Sequence, residues 1–393
     1  MTFNDEIGAL GRAAGDTAER LTMTPAQGVH AAIADRIFGG LGSAALPARA
    51  LHDGISTAVY AGVRAGVKTG ARAGAAVAKA RGTDPEIVSR TRRGSQLQSV
   101  LNGLVGHELA VEDDPLAVHL GLWHRGEPLA VTTEALETAM PDYTGSLVIF
   151  VHGLFETERS WATGNDEPYG EMLRARAGWT PMHVRYNSGL PIIENGRKLS
   201  WLLEEIVAQW PRRVERIALV GHSMGGLVAR CAGREAEGDD AAWRRHLSHV
   251  ACLGAPNQGA PLEQVVHRAA GLLGRLPESA PFAAILDQRS AGIRDLREGI
   301  DAGPLLENVH HLFLGATLTA DPKHPIGLVL GDLLVREGSA AGPRDVEVAV
   351  EDCVHLGGLT HFHLLNHKQV YEHLARFMER APHAPRGRPA LTA

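Results

Sequence analysis

Cysteine is scarce: Cys231, Cys252 and Cys353 are the three in a chain of 393 residues. Three thiols cannot frame a disulfide scaffold for this length, and no two stand as C-x-x-C, which sets aside redox and zinc-ribbon chemistry. Cys231 and Cys252 lie in apolar stretches and read as small core residues. The chain also lacks an uninterrupted apolar run near the ~20 residues that cross a bilayer. Its first residues, M-T-F-N-D-E-I-G, are acidic and show no basic segment followed by an apolar one, so no secretory signal is read and the expected location is cytoplasmic. Nor is there an excess of positive charge. With 39 Lys and Arg against 45 Asp and Glu, the net charge is -6, and no nucleic acid is expected as partner. Hydrophobic content of 44% and charged content of 21% are those of an ordinary globular protein, long enough for one large domain or two.

The first 95 residues differ from the rest and are expected to form an Ala/Gly-rich helical extension. Helices are predicted over Pro25 to Phe38 and Leu51 to Ala80. In the second, Gly62, Gly66, Gly70 and Gly74 recur every four residues and form one stripe, with Arg64, Lys68 and Arg72 about half a turn away. Glycine costs a helix ~1 kcal/mol relative to alanine, so four in register point to close helix–helix packing. From Tyr60 to Arg81 the charges are all basic, which leaves two further contacts open: a lipid or membrane surface, and a second copy of the chain.

Residues 96–393 read as a single catalytic domain. Leu116 to Trp123 and Pro128 to Val131 form a hairpin about H-R-G-E. Short apolar runs predict strands at Leu147 to Val151, Met182 to Tyr186, Arg216 to Val220, His249 to Leu253 and His310 to Leu314, with the last at Asp345 to Val350. Helices are predicted at Lys198 to Trp210, stopped by Pro211, from Gly226 to Ala232, and at Glu372 to Arg380. Alternating strands and helices predict an α/β fold, a mostly parallel sheet covered on both faces. A helical insertion about 259–303 reads as a cap over the carboxyl ends of the strands.

The chemistry centres on G-H-S-M-G, where Gly221 and Gly225 flank Ser223 between a strand and a helix. A serine hydroxyl is a weak nucleophile until a sharp turn exposes it and a base takes its proton. His152-Gly153-Leu154 follows the apolar L-V-I-F-V strand, and Gly153 permits a tight turn that aims the Leu154 N–H into the site. The Met224 N–H would be the second oxyanion donor. Chain order places an acid before the base. Asp332 is the first choice, with Asp321 its nearest competitor and Asp345 and Asp352 more remote. Among the crowded late histidines, His361 takes the base position and His363 stands second. Phe362, Leu364 and Leu365 are expected to begin the helix packed behind it. The histidine cluster lacks H-E-x-x-H and cysteine ligands, so no metal and no cofactor is expected.

The motifs H-G-L, G-H-S-M-G-G-L-V-A-R, L-G-A-P-N-Q-G-A-P-L, G-D-L-L-V-R-E-G-S-A and G-L-T-H-F-H-L-L-N-H resemble those of α/β-hydrolase lipases and esterases. The bacterial triacylglycerol-lipase-like group is the nearest. The resemblance runs from Leu116 to Arg380. It implies an α/β-hydrolase fold with Ser223 as nucleophile, Leu154 and Met224 as oxyanion donors, His361 as base and Asp332 as acid. Leu333 stands where a glycine often follows the acid, and Asn257 where a histidine is common. The implied activity is cleavage of carboxylic esters or lipids through an acyl-enzyme. The same triad also serves acyltransferases, thioesterases and intracellular polyester or phospholipid hydrolases; a hydrolase-like scaffold is the non-enzymatic alternative.

Overall fold

In this computed structural model, residues 88–163, 167–238, 241–257, 290–317, 320 and 352–382 are described. The Gly-striped segment, most of the expected cap, and Asp321, Asp332 and Asp345 lie outside them, as does the strand expected at 345–350. The described chain forms two units.

One unit spans 88–117 and includes Ser290. Helix α1 (Arg92–Val111) opens on Thr91, whose hydroxyl accepts the Gly94 N–H at 2.9 Å, and kinks at Val105. It runs through residue 95, where the sequence predicts a boundary. Gln98 and Asn102 both donate side-chain amides to the Leu116 carbonyl, at 3.1 and 2.8 Å, and Leu101, Leu109, Leu116 and Ala117 pack together.

The described residues of the other unit are built on an eight-stranded sheet. Its strands are β1 (Gly121–His124), β2 (Glu127–Leu129), β3 (Ser146–Val151), β4 (Thr180–Arg185), β5 (Arg216–His222), β6 (Leu247–Leu253), β7 (His310–Thr317) and β8 (Cys353–Gly357). Their order is β2-β1-β4-β3-β5-β6-β7-β8. The β1–β2 and β1–β4 pairs are antiparallel; every pair from β4–β3 to β7–β8 is parallel. The predicted hairpin turn is present, with Arg125 and Gly126 both at positive φ (52° and 87°), the twist a two-residue hairpin needs.

The remaining helices are α2 (Thr133–Ala139), α3 (Tyr169–Ala177), α4 (Ile192–Gln209), α5 (Met224–Gly238), α6 (Ala291–Glu298) and α7 (Lys368–Met378). Pro191 precedes α4 and Pro211 follows it, so proline brackets the helix at both ends. Strand side chains alternate between two layers. Leu147, Ile149 and Val151 of β3 share a core with Leu199, Leu203 and Ile206 of α4 and Leu227 and Val228 of α5. Val148 and Phe150 share the opposite core with Tyr169 and Leu173 of α3 and Val370, Leu374 and Phe377 of α7. Burial on both faces is why β3 reads as one continuous apolar run. At ~1.5–3 kcal/mol for each buried Val, Leu or Ile, the two cores dominate the unit's stability. Cys231 and Cys252 lie in the first core, and burial pushes both thiols up to about 12. This mostly parallel sheet, layered by helices on each face, is the α/β-hydrolase fold.

A further strand that the sequence reading did not include, Cys353–Gly357, closes the described sheet beyond the expected Asp345 to Val350. Among the described residues no helix is long and apolar enough to cross a membrane.

Burial also holds four histidines neutral: His152, His183 and His311 at about 4 and His249 at about 3, against an ordinary 6.5. Below pH 6.5 the unfolded chain takes up protons that the folded chain refuses. Stability therefore falls between pH 6.5 and about 4, by up to ~1.4 kcal/mol per pH unit for each histidine. The melting temperature should be lower at pH 5.0 than at pH 7.5 by about 5 °C or more. Equal melting temperatures at the two pH values would show these histidines titrating freely in the folded protein.

Candidate active site

Strand β5 ends at His222, α5 begins at Met224, and Ser223 alone makes the bend between them. Its φ is 52°, in the left-handed region that costs an L-residue ~1–2 kcal/mol. The conformation is held by the Ser223 N–H, which donates to the Leu253 carbonyl at the end of β6 (2.8 Å). The Ser223 carbonyl in turn accepts the Gly226 N–H at 3.0 Å. The flanking glycines are required by backbone, not by side chains. A Cβ on Gly221 would overlap the Gly225–Gly226 peptide, and one on Gly225 would overlap the carbonyls of Val151 and His152.

That overlap puts the elbow directly against the end of β3, where the His152-Gly153-Leu154 turn begins. A Cβ placed on Gly153 would lie 3.1 Å from the Ser223 Cβ, so the Gly153–Leu154 backbone stands beside the serine. Two sets of contacts fix this turn. The His152 ring stacks on Tyr186 at 4.3 Å between centroids, its Nε2 accepts the Tyr186 N–H (3.3 Å), and the Tyr186 hydroxyl donates to the His152 carbonyl (2.7 Å). With Nε2 accepting, the proton belongs on Nδ1, which lies 2.9 Å from the Gly153 carbonyl. On the other side, the Gly153 N–H donates to Glu156 Oε2 at 2.7 Å, and the Glu156 N–H returns to the Gly153 carbonyl at 3.3 Å. Phe155, at φ 63°, completes the turn.

His361 is the first residue of a 3-10 turn, His361–Leu365, that follows β8. It is buried, and its ring lies against the end of β6, with Cε1 and Nδ1 at 2.9 and 3.1 Å from where a Cβ on Gly254 would stand. Since the Ser223 N–H is bonded to Leu253, the serine and the imidazole flank the same two-residue stretch. The His361 ring also packs on His222, 4.6 Å between centroids. His363 is different: it is exposed and its Nδ1 accepts the Thr360 N–H at 3.0 Å, capping its own turn. Phe362 is 63% exposed, its ring edge-on to that of His361 at 6.0 Å between centroids, while Leu364 and Leu365 are buried.

Ser223, Leu154, Met224 and His361 are thus brought to one sheet edge. Asp332 lies outside the described residues, with Asp321 and Asp345. Asp352 stands at the opposite end of β8 from His361, paired with Arg380. Helix α6 rests on the loop between β4 and α4, where Asp295 accepts the Ile192 N–H (2.8 Å) and the Gly292 N–H donates to the Gly189 carbonyl (3.2 Å). A Cβ on Gly292 would come 3.3 Å from the Met224 methyl, so this helix borders the elbow. Asn257 has a local explanation. Its amide oxygen accepts from the buried Arg230 guanidinium (2.8 Å) while its amide nitrogen donates to Ala255 (3.1 Å), and Arg230 also donates to the Gly303 carbonyl.

Sequence reasoning missed Glu156 and His222. His222 is fully buried, with Nδ1 2.9 Å from Glu156 Oε1 and 3.0 Å from Oε2, and Nε2 3.1 Å from the His361 carbonyl. A polar residue ending an otherwise apolar central strand was the available signal, because a buried imidazole needs partners. Burial pushes the Glu156 carboxyl up, but the neighbouring His222 and the Gly153 N–H outweigh it and leave it below the usual carboxylate value. Among the described residues no three His, Cys, Asp or Glu side chains converge to hold a metal ion.

Residues 195–272 match the PGAP1-like alpha/beta domain family. Solved structures similar to this chain include the mature Bacillus licheniformis lipase BlEst2, 20% identical, covering 58% of this chain and 91% of that one with a TM-score of 0.41. EstA from Clostridium botulinum is 13% identical over 62% of this chain and 89% of its own, TM-score 0.40. Staphylococcus hyicus lipase is 13% identical over 60% and 94%, TM-score 0.39. No curated protein matches the sequence.

The elbow geometry makes Gly225 intolerant of any side chain, since the obstacle is the Val151 carbonyl. Gly225→Ala should lower unfolding stability by about 3 kcal/mol or more, or prevent folding altogether. Urea unfolding of the purified variant checks this, and a midpoint equal to wild type would mean that the two backbones do not meet.

Proposed function

Starting from a chain that is an α/β hydrolase by fold, we propose that it is a serine hydrolase of carboxylic esters, of the lipase and esterase kind. The observation that carries this reading is Ser223. A non-glycine residue held at φ 52° between a buried strand and a helix, with the Gly153–Leu154 backbone beside it and a buried imidazole against Gly254, next to the Leu253 that its N–H bonds, has no packing purpose.

His361 takes the Ser223 proton as the hydroxyl oxygen attacks the ester carbonyl. The N–H groups of Leu154 and Met224, the latter at the N-terminus of α5, hold the oxyanion of the tetrahedral intermediate. His361 then gives the proton to the departing alcohol, leaving the acyl group on Ser223. Water, activated by the same imidazole, releases the acid. Asp332 is the carboxylate assigned to orient the imidazole, on the sequence reading alone. The basic stripe of Arg64, Lys68 and Arg72 is assigned to lipid-surface contact on the same footing.

A fluorophosphonate probe tests the nucleophile: wild type should be labelled, while Ser223→Ala should not be. Hydrolysis of p-nitrophenyl butyrate should fall by about 10⁴-fold or more in Ser223→Ala. Labelling that persists in this variant would assign the reactivity elsewhere. For the oxyanion donors, Leu154→Pro removes one N–H and should lower kcat by about 10²- to 10³-fold with the circular dichroism spectrum retained. A folded Leu154→Pro protein with near-wild-type turnover overturns that assignment.

A further inference from the structure

Three separate loops meet near Ser223, and one pair of hydrogen-bonded, buried side chains joins all three. Glu156 belongs to the turn after β3 and accepts the Gly153 N–H at 2.7 Å. His222 is the last residue of β5, one before the serine. Its Nδ1 faces the Glu156 carboxylate at 2.9 to 3.0 Å, and its Nε2 faces the backbone carbonyl of His361 at 3.1 Å. A carboxylate and a carbonyl can only accept, so a ring bridging them donates from both nitrogens. With Glu156 ionised, His222 is then an imidazolium closed against it, its ring tilted at 47° to that of His361.

We infer that Glu156 and His222 are positioning residues that lock the oxyanion turn, the nucleophile elbow and the turn bearing His361 into one register. The inference rests on the serine-hydrolase reading of the site. Neither side chain touches substrate. The Glu156 carboxylate fixes the peptide before the Leu154 amide, and the imidazolium fixes the main chain of the base. The depressed Glu156 pKa agrees with a carboxylate in this link. The β3–β5 register, Val151 against Gly221, is what sets the two loops side by side. The function of the link is to hold distance, so its loss is felt in the chemical step more than in substrate binding.

The test has a spectroscopic and a kinetic arm. In wild type with 15N-labelled histidine, the His222 ring, assigned by its loss in His222→Gln, should show two N–H groups. Glu156→Gln keeps every hydrogen bond: its oxygen accepts the Gly153 N–H, its NH₂ donates to Nδ1, and Nε2–H still reaches His361. That variant should show one ring N–H at His222 and keep kcat and the fluorophosphonate labelling rate within about threefold. Glu156→Ala should lose about 10- to 100-fold in both, with KM within about twofold of wild type. A single ring N–H at His222 in wild type overturns the inference. So does a folded Glu156→Ala enzyme with unchanged kcat, or a Glu156→Gln enzyme as slow as Glu156→Ala. If Glu156→Ala does not fold, the wild-type spectrum and Glu156→Gln decide. If wild type takes up no probe, the nucleophile reading fails and the spectrum alone judges the link.

Discussion

At the carboxyl edge of the sheet, the backbone of the β5–α5 turn touches the backbone at the end of β3. Nothing larger than hydrogen fits at residues 221 and 225, and this contact sets the position of every other group in the site. It leaves Ser223 no room for an ordinary conformation, and it brings the Gly153–Leu154 peptide alongside. The strain at Ser223, ~1–2 kcal/mol, is small against the apolar burial on both faces of β5. Ile217 and Leu219 in one core and Val220 in the other are each fully buried, and their packing outweighs the bend they force.

The same edge holds an unusual density of buried polar groups. Besides Glu156 and His222, the Arg185 guanidinium is buried, bonded through two nitrogens to Glu158 and stacked over Trp123. Arg230 lies buried between Asn257 and Gly303. Groups of this kind add little net stability when paired but are costly when one partner is removed. Each therefore fixes the relation of two loops more than it strengthens the fold. Arg185 and Glu158 tie β4 to the segment after β3; Arg230 ties α5 to the segments after β6 and α6.

How much of this was legible depends on where each signal resides. β3, β5, β6 and β7 were readable to within three residues at either end because burial on both faces makes their sequences continuously apolar. β8 was not. Among the described residues it pairs with a single neighbour, is half-buried throughout, and reads C-V-H-L-G without a clear pattern. Helices α1, α2 and α3 were not read either; α2 is a short helix with one buried residue, Leu136, and offers little periodicity. Ser223 and the glycines around it declare themselves locally. His361 was found from its motif, but its burial against Gly254, and the capping role that takes His363 out of the site, depend on the 3-10 turn. The Glu156–His222 pair was invisible because 66 residues separate its members and only strand register joins them.

The groups at this edge come from residues 153–156, 222–224 and 361, carried by strands that are adjacent only in the finished sheet. Long-range parallel pairing of this sort closes slowly, since large loops must be ordered before the contacts form. Until it closes, Ser223 has neither the Gly153–Leu154 backbone nor the turn of His361 near it. A chain still emerging from the ribosome, or one cut between β5 and β8, carries Ser223 without these neighbours. The chemistry proposed for Ser223 is thereby withheld until folding has reached the turn that carries His361.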